Sequence, residues 1–401
     1  MKNTRKAIAL NFPTHGCINP LLATITELVN RGEKVIYYCT EEFRNKIEQT
    51  GAEFRPYNGL INKFKIENDD LLKALKLNVE MTVDKLDHNL KTILKENPDY
   101  IIHDSLCTWG KYLASILRLP AVNLMHSFPV TESSISFSKE TALLLAKVYL
   151  YKIKNNFSRN SPKKILKKKY NINLSMGDTL INRENLNIVY TSKSMEPDIY
   201  KSEKTFKFVG PSLFFRKEQT DFPFDKLKDR KVIYISLGTL HNNNSAFYNT
   251  CIKAFTDSEY NVVISIGFEI NPDGFSDLPN NFIIRQSVPQ QKLLDKVNLF
   301  ITHAGMNSVN EAICSGVPML LLPHQIEQKM IAQRVREMGI GNVMKIKKVT
   351  PTNLVENVEK LISDPELKNQ AIKYKSIFRE EEKISHIKAA DKILSYIKKQ
   401  S

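Results

Sequence analysis

The chain has 401 residues and a formal net charge of +15. Its length is about twice that of one compact domain, so we expect two domains. The positive charge is spread along the chain without arginine clusters or interleaved aromatic residues, which argues against nucleic-acid binding. Every apolar run is shorter than the roughly 18 residues of a membrane span. The five cysteines are dispersed, which favours reduced thiols and a cytoplasmic location.

Apolar runs typical of strands alternate with amphipathic, helix-like segments along the first half. The predicted strands are residues 6–12, 34–40, 99–105 and 121–126, and the predicted helices are residues 19–31, 41–50 and 108–118. Such alternation builds a parallel sheet with helices on both faces, and ligands bind at the carboxyl ends of its strands.

The second half repeats this pattern, with predicted strands at residues 232–236, 261–265, 282–285, 299–302 and 319–322. The sequence therefore predicts an α/β protein of two Rossmann-like, doubly wound domains. We place the first domain at residues 1–210, a linker at 211–230 and the second domain at 231–385. A C-terminal helix is predicted at 386–401; periodicity leaves its docking side open, and the first domain is one candidate.

Five lysines fall within residues 163–169, around an Ile-Leu pair. A solvated helix face or loop explains such a cluster. The alternatives are weak association with an anionic membrane surface and guidance of an acidic small molecule.

One turn between a strand and a helix in the second half suits an anion. Ser236 and Thr239 supply hydroxyl groups there, and Gly238 allows a phosphate to approach the backbone. Turns of this composition are also common as plain loops, so this signal is weak alone.

The turn at His303 is a stronger signal. His303 ends a strand, Gly305 tightens the turn, and Asn307 and Ser308 fall in the first turn of the following helix, where its dipole favours a diphosphate. Glu311 lies one turn deeper on the same face, where a carboxylate accepts the hydroxyls of a ribose but repels phosphates.

An acid beside an amide follows the next strand. Glu327 and Gln328 stand in the loop after that strand's carboxyl end, and both side chains suit the hydroxyls of a sugar. Capping explains any single asparagine or serine of this region. The spacing of the whole set is far more specific.

Other motifs accompany this set, namely Val288-Pro289-Gln290, Gly316-Val317-Pro318, Pro323, Asn11-Phe12-Pro13, Asn19-Pro20, Phe208-Val209-Gly210-Pro211-Ser212 and residues 98–104. Together they resemble the UDP-dependent glycosyltransferases, most closely the bacterial macrolide-glycosyltransferase-like branch. The resemblance covers nearly the whole chain. It implies the GT-B architecture, with two Rossmann-like domains facing across a cleft, and inverting transfer without a metal or a cofactor beyond the UDP-sugar donor.

The resemblance also implies roles for individual residues of the second domain. His303, Asn307 and Ser308 would bind the diphosphate, with residues 236–239 opposite, and Glu311 the ribose. Val288 and Gln290 would meet the edge of the base, and Glu327 and Gln328 the sugar. Ser287 stands where plant members have a stacking tryptophan. In the first domain, residues 58–94 and 129–182 would surround the acceptor.

The acceptor side departs from the family pattern. Members usually carry a catalytic histidine in the first loop, oriented by an aspartate; here that position is Cys17, whereas the aspartate is retained as Asp104. A cysteine near a carboxylate is a poor general base.

Four explanations stay open for the missing histidine. In the first, His15 on the same loop reaches the acceptor, and in the second, Asp104 is the base or the acceptor ionises readily. In the third, His126, at a strand end, supplies the imidazole. In the fourth, the protein has lost catalysis.

The sequence therefore predicts an inverting enzyme that moves a hexose from a UDP-sugar to a small hydrophobic or aromatic natural product. One alternative is a noncatalytic UDP-sugar-binding paralogue or helper subunit. The other is a UDP-sugar epimerase, which acts without an acceptor.

Overall fold

A computed structural model describes residues 4–59, 71–128, 161–174, 182–213, 221–238, 242–275 and 278–400. It separates into two compact units. The first unit comprises Met1–Phe214 and Lys383–Ser401, and the second unit comprises Phe215–Glu382.

The first unit contains a parallel sheet of seven strands. They are β1 (Lys6–Leu10), β2 (Lys34–Cys39), β3 (Glu53–Pro56), β4 (Tyr100–Asp104), β5 (Ala121–Met125), β6 (Asn187–Val189) and β7 (Phe206–Phe208). Their order is β3-β2-β1-β4-β5-β6-β7. The direction of winding reverses between β1 and β4, and such a reversal opens a crevice at the carboxyl ends of the strands.

The helices described in the first unit cover this sheet. They are α1 (His15–Asn30), α2 (Arg44–Glu48), α3 (Leu71–Glu96), α4 (Thr108–Leu117) and α5 (Pro162–Tyr170), together with the end of the last helix of the chain. Ala7 and Ala9 of β1 join one apolar cluster, whereas Ile8 and Leu10 join another. Both faces of the sheet are therefore buried, as parallel strands require.

The second unit contains a parallel sheet of six strands. They are β8 (Val232–Ser236), β9 (Asn261–Ser265), β10 (Phe282–Arg285), β11 (Leu299–Thr302), β12 (Met319–Leu321) and β13 (Gly341–Val343), in the order β10-β9-β8-β11-β12-β13. Its helices are α6 (Ser245–Phe255), α7 (Gln290–Leu294), α8 (Met306–Ser315), α9 (Ile326–Glu337), α10 (Pro351–Ser363) and the first part of α11 (Pro365–Gln400). Here the winding reverses between β8 and β11.

The C-terminal helix is longer than its sequence pattern indicates. It is 36 residues long and begins at Pro365, not at residue 386. Its last turns belong to the first unit, where Ala389, Ala390, Ile393 and Ile397 enter an apolar cluster with β1, β2 and β4. These four side chains are all at most 1% exposed.

Helix α1 also begins earlier than predicted. The sequence places its start at residue 19, next to Pro20, but the helix begins at His15 and keeps Pro20 in its second turn. A proline near a helix start removes only one intrahelical hydrogen bond. Residues 15–17 therefore form the first helical turn and not a flexible loop.

The lysine cluster lies on α5. Ser161 caps this nine-residue helix, Leu166 is buried, and all five lysines are exposed. This is the arrangement of a solvated helix face. None of the helices described in the structure combines the length and apolar character that a membrane crossing requires.

Candidate functional site

The turns that follow β8 and β11 meet in the second unit, because Ser236 and Thr302 are paired in register. The imidazole of His303 lies against two glycines of these turns. A Cβ added to Gly238 would stand 2.5 Å from Cε1 of His303, and one added to Gly305 would stand 2.5 Å from its Nε2. The ring can occupy this position only because neither residue has a side chain.

The backbone around His303 is turned sharply. Gly238 has φ of 80°, and Ala304, a buried residue with a side chain, has φ of 68°. The left-handed conformation of Ala304 costs about 1 kcal/mol. It directs the chain from β11 into α8, which begins after Gly305.

The start of α8 brings together residues that the sequence predicts to bind the diphosphate. Half-buried Asn307 and Ser308 occupy its first turn, beside His303. The first N–H groups of a helix lack intrahelical partners and carry the positive end of its dipole. The hydroxyl oxygen of Ser236 already accepts a hydrogen bond from the N–H of Gly238 at 3.3 Å, so it stabilises the opposing turn. Thr239 lies outside the described residues.

Glu311 is buried one turn further along α8. Its carboxylate accepts hydrogen bonds from the side-chain amides of Gln290 and of Gln291, the latter at 3.3 Å. Gln290 begins α7, directly after half-buried Val288 and Pro289, and its Nε2 also lies 3.4 Å from Oγ of Ser308. The residues predicted to bind the ribose, the base edge and the phosphate thus form one hydrogen-bonded group.

Glu327 and Gln328 lie in the first turn of α9, after β12. The Oε1 of Gln328 accepts hydrogen bonds from the backbone N–H groups of His324 at 2.8 Å and Gln325 at 3.2 Å. Gln328 therefore caps its own helix, and only its amide N–H groups stay available to a ligand. Glu327 is half-buried beside it.

In the first unit, three side chains with reactive atoms converge near the start of α1. The ligand atoms of Cys17, Asp104 and His126 all lie within 4.8 Å of one another. The Sγ of Cys17 is 3.7 Å from Nε2 of His126, and the hydroxyl of Thr14 donates to the same sulfur at 3.1 Å. Sequence spacing alone does not reveal this contact, because His126 stands 109 positions after Cys17.

Asp104 is held by four N–H donors. Its Oδ1 accepts from the backbone of Leu106 at 2.6 Å and of Cys107 at 3.1 Å. Its Oδ2 accepts from the backbone of Phe12 at 2.5 Å and from the side-chain amide of Asn11 at 2.9 Å. Burial raises the pKa of Asp104 to about 6, although these hydrogen bonds oppose the shift.

Because both oxygens of Asp104 are occupied, this carboxylate ties the loop after β1 to the turn after β4. The same four hydrogen bonds leave no lone pair of Asp104 directed at a metal ion or at an acceptor hydroxyl, although its raised pKa means that it binds a proton more readily than an ordinary aspartate.

His126 follows β5 and is half-buried. Its Nδ1 is buried and has no hydrogen-bond partner among the described residues. Burial lowers the pKa of His126 to about 4, since the charged imidazolium is poorly solvated there. The imidazole is therefore neutral at physiological pH and keeps a lone pair for a proton.

His15 is separate from this group. Its exposed ring lies edge-on to Phe43, with ring centroids 5.0 Å apart, and its Nδ1 is 3.4 Å from Nζ of Lys46. Residues two apart on a helix point in nearly opposite directions, so the helical start of α1 turns His15 away from Cys17.

Comparisons with known proteins agree with the fold. Residues 225–390 match the family described as UDP-glucoronosyl and UDP-glucosyl transferase. The NDP-glycosyltransferase YjiC of Bacillus subtilis is 36% identical over 89% of both chains. The oleandomycin glycosyltransferase of Streptomyces antibioticus is 24% identical over 89% of this chain and 83% of its own.

Solved structures of glycosyltransferases share the architecture. The glycosyltransferase of kitacinnamycin superposes with a TM-score of 0.84 at 25% identity, covering 98% of this chain and all of its own. The calicheamicin glycosyltransferase CalG4 gives 0.76 at 27% identity, covering 98% of each chain. The predicted GT-B fold class is thereby confirmed.

The fold and these relatives define a nucleotide-sugar-dependent glycosyltransferase. This chain belongs to the UDP-glycosyltransferase family, in its bacterial macrolide-glycosyltransferase-like branch. The predicted enzyme class is confirmed, and the noncatalytic and epimerase alternatives gain no support from these relatives.

Proposed function

We propose that this enzyme transfers a hexose from a UDP-sugar, with inversion, to a nucleophile on a small hydrophobic or aromatic natural product. The observation that carries the proposal is the position of His303 between Gly238 and Gly305, at the start of α8. An imidazole and the N–H groups at the start of a helix together suit a diphosphate, and buried Glu311 suits the ribose beyond it.

On this proposal, His303 and the first turn of α8 stabilise the negative charge that develops on UDP as the bond to the anomeric carbon breaks. The acceptor oxygen forms the new bond on the opposite face of the sugar and gives up its proton. Relatives that act on oleandomycin and calicheamicin support a natural-product acceptor.

We assign the proton acceptor to His126. Asp104 has no free acceptor position, and His15 is turned away from Cys17, whereas Nε2 of His126 lies beside Cys17, where the family places its base. Its neutral imidazole takes the acceptor proton on Nε2. The neighbouring carboxylate of Asp104 then stabilises the imidazolium.

The experiment is a mass-spectrometric screen of UDP-sugars against a panel of phenols, alcohols and thiols. It compares the wild type with His126→Gln, His15→Ala and Cys17→Ala. We expect His126→Gln to lower kcat by about a hundredfold or more, the usual contribution of a general base, whereas His15→Ala keeps full turnover. Full turnover of His126→Gln together with loss in His15→Ala would reverse the assignment.

The pH dependence separates a base from a structural residue. Because the pKa of His126 is about 4, we expect kcat/KM on an alcohol acceptor to keep a large part of its value below pH 6 and to fall steeply only below about pH 5. Protonation of Asp104, whose pKa is about 6, removes the charge that stabilises the imidazolium, so a partial decrease near pH 6 should precede that fall. Asp104→Asn should lose the decrease near pH 6 and keep the fall below pH 5. A single, complete loss near pH 6.5 in both proteins would instead indicate an ordinary, exposed histidine as the base.

We further propose that transfer needs neither a metal nor a cofactor besides the donor. The donor diphosphate contacts an imidazole and helix N–H groups, which take the place of a metal ion. Among Cys17, Asp104 and His126, the oxygens of Asp104 already accept hydrogen bonds from N–H groups. Turnover unchanged after EDTA treatment is the expected result. All five cysteines are buried and none forms a disulfide, which supports the cytoplasm as location.

A further inference from the structure

Tyr234 lies in the middle of β8 and is 1% exposed. Its neighbours Ile233 and Ile235 enter the apolar core, so its own ring faces the other side of the sheet. There it stacks on Phe300 of β11, with centroids 4.6 Å apart and planes within 5°. Packing of this kind fixes the position of the phenol oxygen.

The phenol is tied to the donor site through one side chain. The hydroxyl of Tyr234 donates to Oε1 of Gln290 at 2.8 Å. The amide nitrogen of Gln290 donates to Glu311 and lies near Ser308. Tyr234, Gln290 and Glu311 therefore form a continuous chain of hydrogen bonds from the sheet to α8.

These hydrogen bonds fix the orientation of the side-chain amide of Gln290. An ionised carboxylate only accepts hydrogen bonds, so it must face the NH₂ end of Gln290. The oxygen end must then face a donor, and Tyr234 supplies it. Without that donor the amide oxygen would be left unsatisfied, and the amide would lose its fixed direction.

We propose that Tyr234 is a positioning residue that, through Gln290, orients the Glu311 carboxylate to accept the 2′- and 3′-hydroxyls of the donor ribose. The proposal rests on the donor arrangement of the proposed function. Its consequence is selectivity: the phenol does not touch the donor, yet it governs the preference for ribonucleotides over 2′-deoxyribonucleotides.

The test measures the dissociation constants of UDP and 2′-deoxy-UDP by calorimetry, without an acceptor. The protein is the wild type, Tyr234→Phe or the matched control Tyr248→Phe. Tyr248 is also fully buried in the second unit, and its hydroxyl has no hydrogen-bond partner in the part of the chain that the structure describes. Thermal unfolding confirms that each variant is folded.

We expect the wild type and Tyr248→Phe to prefer UDP to the same extent. Tyr234→Phe should reduce that preference about threefold to tenfold, the range of one hydrogen bond. In a Gln290→Ala background, where the chain is already broken, Tyr234→Phe should produce no further change in the preference.

Two results would overturn the inference alone. One is an unchanged preference in Tyr234→Phe while the wild type still favours UDP. The other is a full additional loss in the Gln290→Ala background, which would mean that Tyr234 acts by another route. Failure of the wild type to bind UDP at all would instead refute the proposed function, and this inference with it.

Discussion

Cys17 stands where the resemblance to the family implies a catalytic histidine, and its sulfur contacts Nε2 of His126. The other ring nitrogen of His126, Nδ1, has no hydrogen-bond partner in the part of the chain that the structure describes. Four N–H donors meanwhile occupy Asp104. On the proposed function, His126 therefore takes the part that the family pattern gives to the histidine of the first loop.

The lowered pKa of His126 predicts a pH-dependent stability. The folded value of about 4 lies below the ordinary 6.5, so the unfolded chain binds a proton first as the pH falls. The stabilisation is complete above pH 6.5 and is lost between pH 6.5 and 4. At pH 5 the loss is at most roughly 2 kcal/mol.

Denaturant unfolding of the wild type and His126→Gln at pH 7 and pH 5 checks this expectation. The variant should lose less stability on acidification than the wild type does. Asp104, whose raised pKa acts in the opposite direction, is present in both proteins, so the difference between the two pH profiles reports His126 and its coupling to Asp104. Parallel pH profiles would contradict the buried, neutral state of His126.

The two glycines beside His303 give a second prediction. In Gly238→Ala or Gly305→Ala the new methyl group meets the imidazole at 2.5 Å, and at Gly238 the left-handed backbone adds strain. Because the ring must move, UDP binding should weaken about tenfold or more, equivalent to about 1.4 kcal/mol. Gly274→Ala is the control, since its methyl group meets nothing within 4 Å. Calorimetric titration with UDP measures the affinities. Equal values for Gly238→Ala, Gly305→Ala and Gly274→Ala would disprove the tight fit of the His303 ring.

At the scale of elements, the oxygen of Gln328 caps α9 in its first turn. On the proposed function, the amide nitrogen of the same side chain donates to the sugar. Gln328→Glu keeps the capping oxygen and should keep the stability, because an acid also suits a helix start. It should nevertheless weaken binding of the UDP-sugar.

Gln328→Ala should lose about 1 kcal/mol of stability as well, since the cap is removed. Thermal unfolding measures the stability of both variants. The ratio of UDP-sugar affinity to UDP affinity measures the contribution of the amide to sugar binding. If the glutamate variant binds the UDP-sugar normally, the amide does not contact the sugar.

The predictability of the elements follows their length and apolar content. Predicted strands such as residues 232–236 and 261–265 have the same bounds in the structure, because uninterrupted runs of four and three apolar residues, at 232–235 and 262–264, leave little choice. Strands β6, β7 and β13 have three residues each, too few for a period, and the sequence does not indicate them.

The site was predictable to the extent that it is local in sequence. His303, Ser308 and Glu311 lie on one strand–turn–helix unit, so their spacing indicates their common face. The contact between Cys17 and His126 arises from the pairing of β4 with β5 and the packing of α1, and no local pattern contains it. Tyr234 likewise has no sequence signal, since it looks like any core residue of a strand.

At the scale of the whole molecule, both sheets reverse their winding beside their first strand, and each group of candidate residues lies at that reversal. The general rule for open parallel sheets thus locates both groups without reference to the chemistry. The division into two units does not follow the order of the sequence, because the end of α11 completes the core of the first unit.

The packing of α11 predicts a difference between two isoleucines of one helix. Ile393 is fully buried in the first unit, whereas Ile387 is 38% exposed. Ile393→Ala should lower the free energy of unfolding by roughly 2–4 kcal/mol, because a cavity forms. Ile387→Ala should change it by less than about 1 kcal/mol. Chemical denaturation of both variants measures the difference, and equal values would argue against this docking of the helix.

The route of the helix also has a consequence for biosynthesis. Residues 215–382 emerge from the ribosome before the turns of α11 that the first unit needs, because those turns follow them in the chain. The second unit is continuous in sequence and can fold as soon as it has emerged. The sheet of the first unit precedes the second unit in the chain but can be completed only after it, and until then the apolar surface near β1 lacks Ile393 and Ile397.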